Sequence, residues 1–132
     1  MKEGNDLQAS IGLLVLRLGT GGFLLFGHGL AKFLHFSQKA ATFADPIGLG
    51  PVVSFALVVF AEFFCSITLM LGLATRLAAI PIVIFGLVAA FVQHGSDPFG
   101  DRELALLYLV PALALAFTGA GRFSLDAGLK PR

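Results

Sequence analysis

The sequence alternates long apolar stretches with short polar interruptions. Apolar residues dominate four segments, at about residues 7–33, 52–73, 77–93 and 102–118. A helix needs roughly 20 mostly apolar residues to cross the hydrocarbon core of a bilayer. The pattern therefore predicts an all-α membrane protein, a four-transmembrane-helix bundle that forms a single transmembrane domain over residues 1–132.

The longest connection lies between the first two segments. Within residues 36–44, phenylalanines and alanines recur at helical spacing beside Ser, Gln, Lys and Thr. This spacing is typical of an amphipathic helix that lies in the membrane interface. We therefore expect a short interfacial helix between helices 1 and 2, followed by a turn at residues 45–48.

The fourth helix has recognisable signals at both ends. Asp101 has the side chain of an N-cap residue, which can accept a hydrogen bond from the first turn. Gly119 and Gly121 favour a stop at the other end. We expect helix 4 to lie between these signals and a polar tail to follow from residue 122.

Composition supports the membrane class and narrows the partners. Hydrophobic residues make up 57% of the chain and charged residues 13%, whereas about a quarter of a soluble domain is charged. The mean hydropathy is +0.90, so the lipid bilayer is the expected surrounding. The net charge is +1 and no stretch gathers four or more Lys or Arg, so we expect no nucleic-acid partner.

Cysteine usage limits the redox chemistry that this chain could perform alone. Cys65 is the single cysteine, which excludes an intramolecular disulfide and a C-x-x-C exchange motif. We expect Cys65 to be a small buried apolar residue. Any redox role would need a bound cofactor or one supplied by a partner.

Basic residues between the segments predict the orientation. Four spans place both termini on one side of the membrane, and loops rich in Lys and Arg stay cytoplasmic. The side with the termini holds Lys2, Arg76, Arg122, Lys130 and Arg132, whereas the other side holds Lys32, Lys39 and Arg102. Both termini are therefore expected in the cytoplasm. The first apolar segment is too long for a signal peptide and lacks an evident A-x-A site, so we expect it to be retained.

One acid interrupts the second segment near its middle. Glu62 has about ten mostly apolar residues on each side, and an isolated charge at the bilayer centre costs at least ~2.5 kcal/mol. Arg17 interrupts the first segment, and a guanidinium can bind a carboxylate through two hydrogen bonds. We therefore predict an Arg17–Glu62 ion pair between adjacent helices. The pair could lock the helices together or take part in proton transfer, and the sequence leaves both open.

A second set of polar residues lies toward the outer ends of the helices. It comprises His28, Lys32, His94, Glu103 and Tyr108. Histidine titrates near neutrality, so Glu62, His28 and His94 are candidates for catalytic proton handling. Together with Arg17 and Glu62, the set forms a candidate ligand-binding site. The alternative is that these residues are simply solvated at the interface.

Metal binding has little support in this pattern. The candidate ligands are two histidines and two glutamates on different helices, and no pair has i, i+3 or i, i+4 spacing. Metal sites in helical bundles commonly use that spacing. We expect no metal.

The polar positions, taken in order, resemble the DoxX family of small bacterial four-helix membrane proteins. The resemblance covers nearly the whole chain and rests on the following positions: Arg17, Gly27-x-Gly29-x-x-Lys32, Glu62, Gly72-Leu-x-Thr-Arg76, His94, Glu103 and Gly119-x-Gly121-Arg122-Phe-Ser-Leu-Asp126. Ala120 departs from the pattern, because many relatives have Pro between the two glycines. This departure bears on the exit from helix 4.

The resemblance implies a location in the bacterial cytoplasmic (inner) membrane and a link to oxidoreduction. It suggests a quinone as the cofactor and a soluble or membrane redox protein as a partner. The leading hypothesis is a membrane subunit that binds a quinone or a similar lipid-soluble molecule near the Arg/Glu/His cluster. One alternative is a non-catalytic anchor or scaffold that recruits soluble redox enzymes, and a weaker one is a small-molecule carrier. The glycine-rich first helix makes a homo-oligomer possible.

Overall fold

The computed structural model describes residues 2–129, and every regular element in that range is helical. Helix α1 comprises Lys2–Leu24, a π-helical turn at Leu25–Gly29, and Leu30–Leu34. Helix α2 is Phe36–Lys39, and a 3-10 turn at Ala40–Thr42 follows it. Helix α3 comprises Pro51–Val59, a π turn at Phe60–Phe64, and Cys65–Leu71; α4 comprises Thr75–Val88 and a π turn at Ala89–Gln93. Helices α5 and α6 are Phe99–Thr118 and Leu125–Leu129.

Three helices are long and apolar enough to cross a membrane. These spans are Asp6–Leu34, Pro51–Leu71 and Thr75–Gln93. Helix α5 has 20 residues and packs along α4, but three charged residues, at positions 101–103, lie near its start. The all-helical membrane class is confirmed, and the fourth span stays a prediction.

The ends of α5 differ in how well the sequence predicted them. The helix begins at Phe99 with Pro98 at the N-cap position. The prediction of Asp101 as the N-cap is therefore wrong, because Asp101 already lies inside the first turn, where its backbone N–H donates to the Pro98 carbonyl at 3.0 Å. At the other end, Gly119 caps the helix with a φ of 75°, as the glycine signal indicated.

The connection between α1 and α3 is held by one carboxylate. Asp45 accepts hydrogen bonds from the Ser54 hydroxyl and from the backbone N–H groups of Leu49 and Gly50, at 2.7 to 2.9 Å. The bond from Ser54 is the largest cause of a pKa for Asp45 below its ordinary value of 3.8. These bonds fix the turn into α3. A short helix, α2, does lie in this connection, and its location in the membrane interface stays a prediction.

Two glycines set the register between α1 and α3. A Cβ at Gly29 would overlap the backbone carbonyl of Glu62, and a Cβ at Gly21 would meet the Met70 side chain and the Ser66 carbonyl. Small residues let helices approach closely in membranes. The core that forms around this contact is drawn from α1, α3, α4 and α5 and includes the fully buried Leu24, Leu69, Ile82 and Leu115.

The tail is bound to the turn between α3 and α4. The Asp126 carboxylate accepts hydrogen bonds from the backbone N–H groups of Ala74 and Thr75, at 2.7 and 3.0 Å, and its own N–H donates to the Gly72 carbonyl at 2.9 Å. Asp126 therefore satisfies donors at the start of α4 in the way that an N-cap does. Lys130 and Arg132, which enter the charge count above, lie outside the described residues.

The close approach at Gly29 predicts a helix-packing defect. The Gly29→Ala variant should lower the free energy of unfolding by about 1–3 kcal/mol, because its methyl group would push α1 away from α3. The measurement is unfolding of the purified protein by SDS titration in detergent micelles. The matched control is Gly27→Ala, since no atom lies within 4 Å of a Cβ at that position. Equal losses in the two variants would contradict the packing role of Gly29.

The tail contact predicts a pH-dependent contribution to stability. Burial raises the pKa of Asp126. The hydrogen bonds from Thr75 and Ala74 and the charge of Arg17 lower it by more than burial raises it, so that its pKa lies below the ordinary value of 3.8. A carboxyl whose pKa is lower in the folded state contributes fully above its unfolded value. The Asp126→Ala variant should therefore lose about 1 kcal/mol at pH 7.

This difference between wild type and Asp126→Ala should shrink as the pH falls below 3.8, as Asp126 becomes protonated. Unfolding curves at several pH values would measure it. A difference that stayed constant with pH would argue against the carboxylate as its source. Asp6→Ala, at an exposed position of α1, is the control.

Candidate functional site

Glu62 pairs with Lys32. The Lys32 Nζ lies 2.9 Å from Oε1 and 2.7 Å from Oε2 of Glu62. The Glu62 side chain is 1% exposed and that of Lys32 is 24% exposed. A buried carboxylate thus has a cation that still reaches the edge of the protein. The predicted Arg17–Glu62 pair is wrong.

The glycine register explains why Lys32 replaces Arg17. Gly29 lies directly against Glu62, and Arg17 precedes Gly29 by twelve residues, or about 18 Å along a helix. Lys32 follows Gly29 by three residues, which places its side chain within one helical turn of Glu62. The close contact between Gly29 and Glu62 therefore brings Lys32, and not Arg17, to the carboxylate.

Arg17 instead anchors the tail. It is fully buried, and its Nη2 donates to the Phe123 carbonyl at 2.6 Å. A Cβ at Gly72 would overlap its Nη1, which explains a glycine at the end of α3. Within residues 2–129, the Nε and Nη1 atoms have no hydrogen-bond partner. Arg17 therefore belongs to the structural contact at the end that holds the tail, away from Glu62.

A polar cavity of about 150 Å³ gathers five of the predicted site residues. It is lined by Leu24, His28, Lys32, Glu62, Phe85, Ala89, His94, Asp101, Leu104, Ala105 and Tyr108. Arg17 and Glu103 are absent from this lining. The Glu103 side chain is exposed on α5, and its assignment to the site stays a prediction. Asp101, two residues earlier, lines the cavity.

His28 and Tyr108 connect α1 with α5 across this cavity. Their rings meet edge to face, with centroids 5.6 Å apart and planes at 86°. Aromatic pairs favour this arrangement. Tyr108 thus contacts His28 through its ring.

Three π-helical turns coincide with the polar cavity. Leu25–Gly29 contains His28, Phe60–Phe64 contains Glu62, and Ala89–Gln93 directly precedes His94. A π turn inserts an extra residue into a helix and is frequent at functional sites. The inserted residue changes which side chains face inward. A regular spacing of 3.6 residues per turn therefore does not predict which residues line this cavity.

A larger apolar cavity of about 580 Å³ adjoins the polar one. Its walls come from the connection before α3 and from α3 and α4, and include Phe43, Ile47, Leu57, Val58, Phe60, Pro81, Ile84, Val88 and Gln93. Lys32, Phe85, Ala89 and His94 line both cavities. These four residues form what we call the junction. Phe85 and Ala89 were not foreseen, because an apolar residue in an apolar helix gives no signal of facing a cavity.

The described residues contain no group of three or more His, Cys, Asp or Glu side chains placed to hold a metal ion. Cys65 is buried, as expected for a small core residue. Hydrogen-bonding side chains of Lys32, Glu62, His28, His94 and Tyr108 line the polar cavity.

The Lys32–Glu62 pair predicts an asymmetric effect of its two single variants. Lys32→Met should cost roughly 3 kcal/mol of unfolding free energy, because it leaves a buried carboxylate without a partner. Glu62→Gln should cost less, because the freed ammonium can extend toward the interface. Combining the two changes should recover most of the loss. SDS titration measures all three.

The control for this set is Lys39→Met, at an exposed position of α2, which should leave stability within about 0.5 kcal/mol of wild type. The structural importance of the pair would be refuted if Lys32→Met behaved like this control.

Comparison with known proteins agrees with this architecture. The DoxX family profile matches residues 12–95, which include most of α1, all of α2, α3 and α4, and both residues of the Lys32–Glu62 pair. An uncharacterized protein of Haemophilus influenzae is 35% identical over 111 residues, covering 79% of this chain and 81% of its own length. An uncharacterized membrane protein of Mycobacterium tuberculosis is 30% identical over 146 residues, covering 98% and 85%. No solved structure matches. The chain is a membrane protein that belongs to the DoxX family.

Proposed function

We propose that this protein binds a quinone or a similar lipid-soluble small molecule within the membrane, as part of an oxidoreduction system. The polar head of the molecule occupies the polar cavity and its apolar tail occupies the larger cavity. In this proposal α5 is the fourth span and α2 lies in the interface. The protein resides in the bacterial inner membrane with both termini in the cytoplasm.

The junction is the observation that carries the proposal. Small-molecule sites are typically cavities of about 300–1,000 Å³ with apolar walls and a few polar groups that fix orientation. The larger cavity has 580 Å³, and Lys32 and His94 stand where it meets the polar cavity. A molecule with a polar ring and a long apolar tail matches this pair of cavities.

Proton handling is the chemistry that we assign to the polar cavity. Glu62, His28 and His94 all line it, and histidines exchange protons near neutral pH. Lys32 keeps the Glu62 carboxylate neutralised while the ligand is absent. A ring that gains or loses protons beside these groups would exchange them with the histidines, since His94 is partly exposed to the outside of the protein.

A second candidate function is an anchor that recruits a soluble redox enzyme. The observation that favours it is the fixed tail, which places the exposed Phe123, Leu125 and Leu129 outside the three spans. In this alternative, variants of the tail abolish capture of the partner whereas variants of the cavities do not. A homo-oligomer remains possible through α1, where Gly12, Gly19 and Gly27 face open space.

Blocking the junction tests ligand binding. Ala89→Leu should reduce the affinity for decylubiquinone at least roughly tenfold, because three added carbons would fill space that the ligand needs. The protein is reconstituted in lipid nanodiscs and titrated with decylubiquinone. Quinone that copurifies with each variant is extracted into organic solvent and quantified by mass spectrometry.

The matched control is Ala114→Leu, the same change at an exposed position of α5 outside both cavities. It should bind like wild type. Melting curves of both variants separate loss of binding from loss of fold. The absence of binding by the folded wild type would refute the quinone proposal and leave the anchor as the better explanation.

A further inference from the structure

His94 lines both cavities directly after α4, and its imidazole is paired with the carboxylate of Asp97, which lines neither cavity. His94 Nδ1 lies 2.8 Å from Oδ2 of Asp97. An ionised carboxylate can only accept hydrogen bonds, so Nδ1 carries the hydrogen in this contact. The tautomer thus follows from the partner.

Arg102 fixes the loop that carries this pair. Its Nε donates to the Asp97 carbonyl at 3.3 Å and its Nη2 to the Gly95 carbonyl at 2.5 Å. The backbone N–H of Asp97 donates to the His94 carbonyl at 3.1 Å. The carboxylate is therefore held in place against the imidazole.

The pair determines what the junction can recognise. With hydrogen on Nδ1, the neutral His94 ring presents Nε2 as an acceptor. Lys32 has three N–H groups, and its contacts with the two oxygens of Glu62 use two of them. Since both residues line the junction, a molecule bound there can accept a hydrogen bond from Lys32 and donate one to His94.

A hydroxyl group satisfies both of these groups at once, since it accepts from Lys32 and donates to His94. A carbonyl or ether oxygen only accepts, so it would leave Nε2 of His94 without a donor. A site built to bind a hydroxyl rejects the analogue that lacks it, because its own polar group loses a partner.

The other polar groups of the cavity do not reverse this preference. The Tyr108 hydroxyl can donate or accept, both oxygens of Glu62 contact Lys32, and Asp101 is exposed. His28 packs edge to face against Tyr108. Because the Asp101 carboxylate also lines the polar cavity and can only accept, it favours a hydroxyl as well, and variants of Asp97 measure the part of the discrimination that depends on His94.

We propose that Asp97 is a positioning residue and that the site selects the hydroxyl-bearing form of a lipophilic ring, a phenol or hydroquinone, over its carbonyl or ether counterpart. This inference rests on the proposed function and narrows its ligand class. Asp97 acts through His94 and does not touch the ligand.

The test compares 4-decylphenol with 4-decylanisole, which differ in one hydroxyl hydrogen and share the same tail. Binding is measured in nanodiscs at pH 8. Wild type should prefer the phenol by roughly tenfold or more. Asp97→Ala should reduce this ratio toward one without weakening the binding of the anisole, and Asp97→Glu should restore part of it. Asp6→Ala is the control and should keep the preference.

Equal affinity of wild type for the two compounds would overturn the inference and leave the proposed function standing. An unchanged preference in Asp97→Ala would overturn the role of Asp97. Failure of both compounds to bind would overturn the inference and the proposed function together. A second measurement does not depend on the variants: ¹⁵N NMR of histidine-labelled wild type should show hydrogen on Nδ1 of His94, and hydrogen on Nε2 alone would refute the assignment.

Discussion

The part of this bundle that contains the two cavities depends on how one buried carboxylate is neutralised. Glu62 lies inside a helix that is apolar enough to span a membrane, where an unpaired charge would be costly. The close contact at Gly29 brings α1 near enough for Lys32 to reach it. The cost of burying the charge is thereby offset at a position that also opens toward a cavity. The Lys32–Glu62 pair thus joins α1 to α3 and also lines the polar cavity.

The two basic residues of α1 divide the molecule into two regions. Lys32 serves the cavities at one end, and Arg17 binds the tail at the other. Arg17 contacts backbone and lines neither cavity. Lys32 is partly exposed and lines both cavities, which makes it available to a ligand. Two basic residues of the same helix thus make separate contacts, Arg17 with the tail and Lys32 with Glu62.

Much of the helical architecture could be predicted from the sequence, because the bilayer imposes a length and a composition on each span. The site was predicted in part: titratable residues are rare in spans, so His28, Lys32, Glu62 and Tyr108 stood out. Their pairing could not be predicted, because it depends on a register fixed by glycine packing. The π turns could not be predicted from the sequence either. Each adds one residue to a helix and thereby changes which side chains point into the bundle, and tertiary contacts decide where that happens. Asp101, which was not predicted as a site residue, lines the polar cavity, whereas Glu103 does not.

The anchoring of Arg17 by the Phe123 carbonyl has a consequence for biosynthesis. Arg17 belongs to α1, whereas its acceptor lies 106 residues later in the chain. Until that later segment has been synthesised, the guanidinium lacks this acceptor. The contact between α1 and the tail therefore forms late in synthesis, and the order of synthesis differs from the order in which the bundle becomes complete.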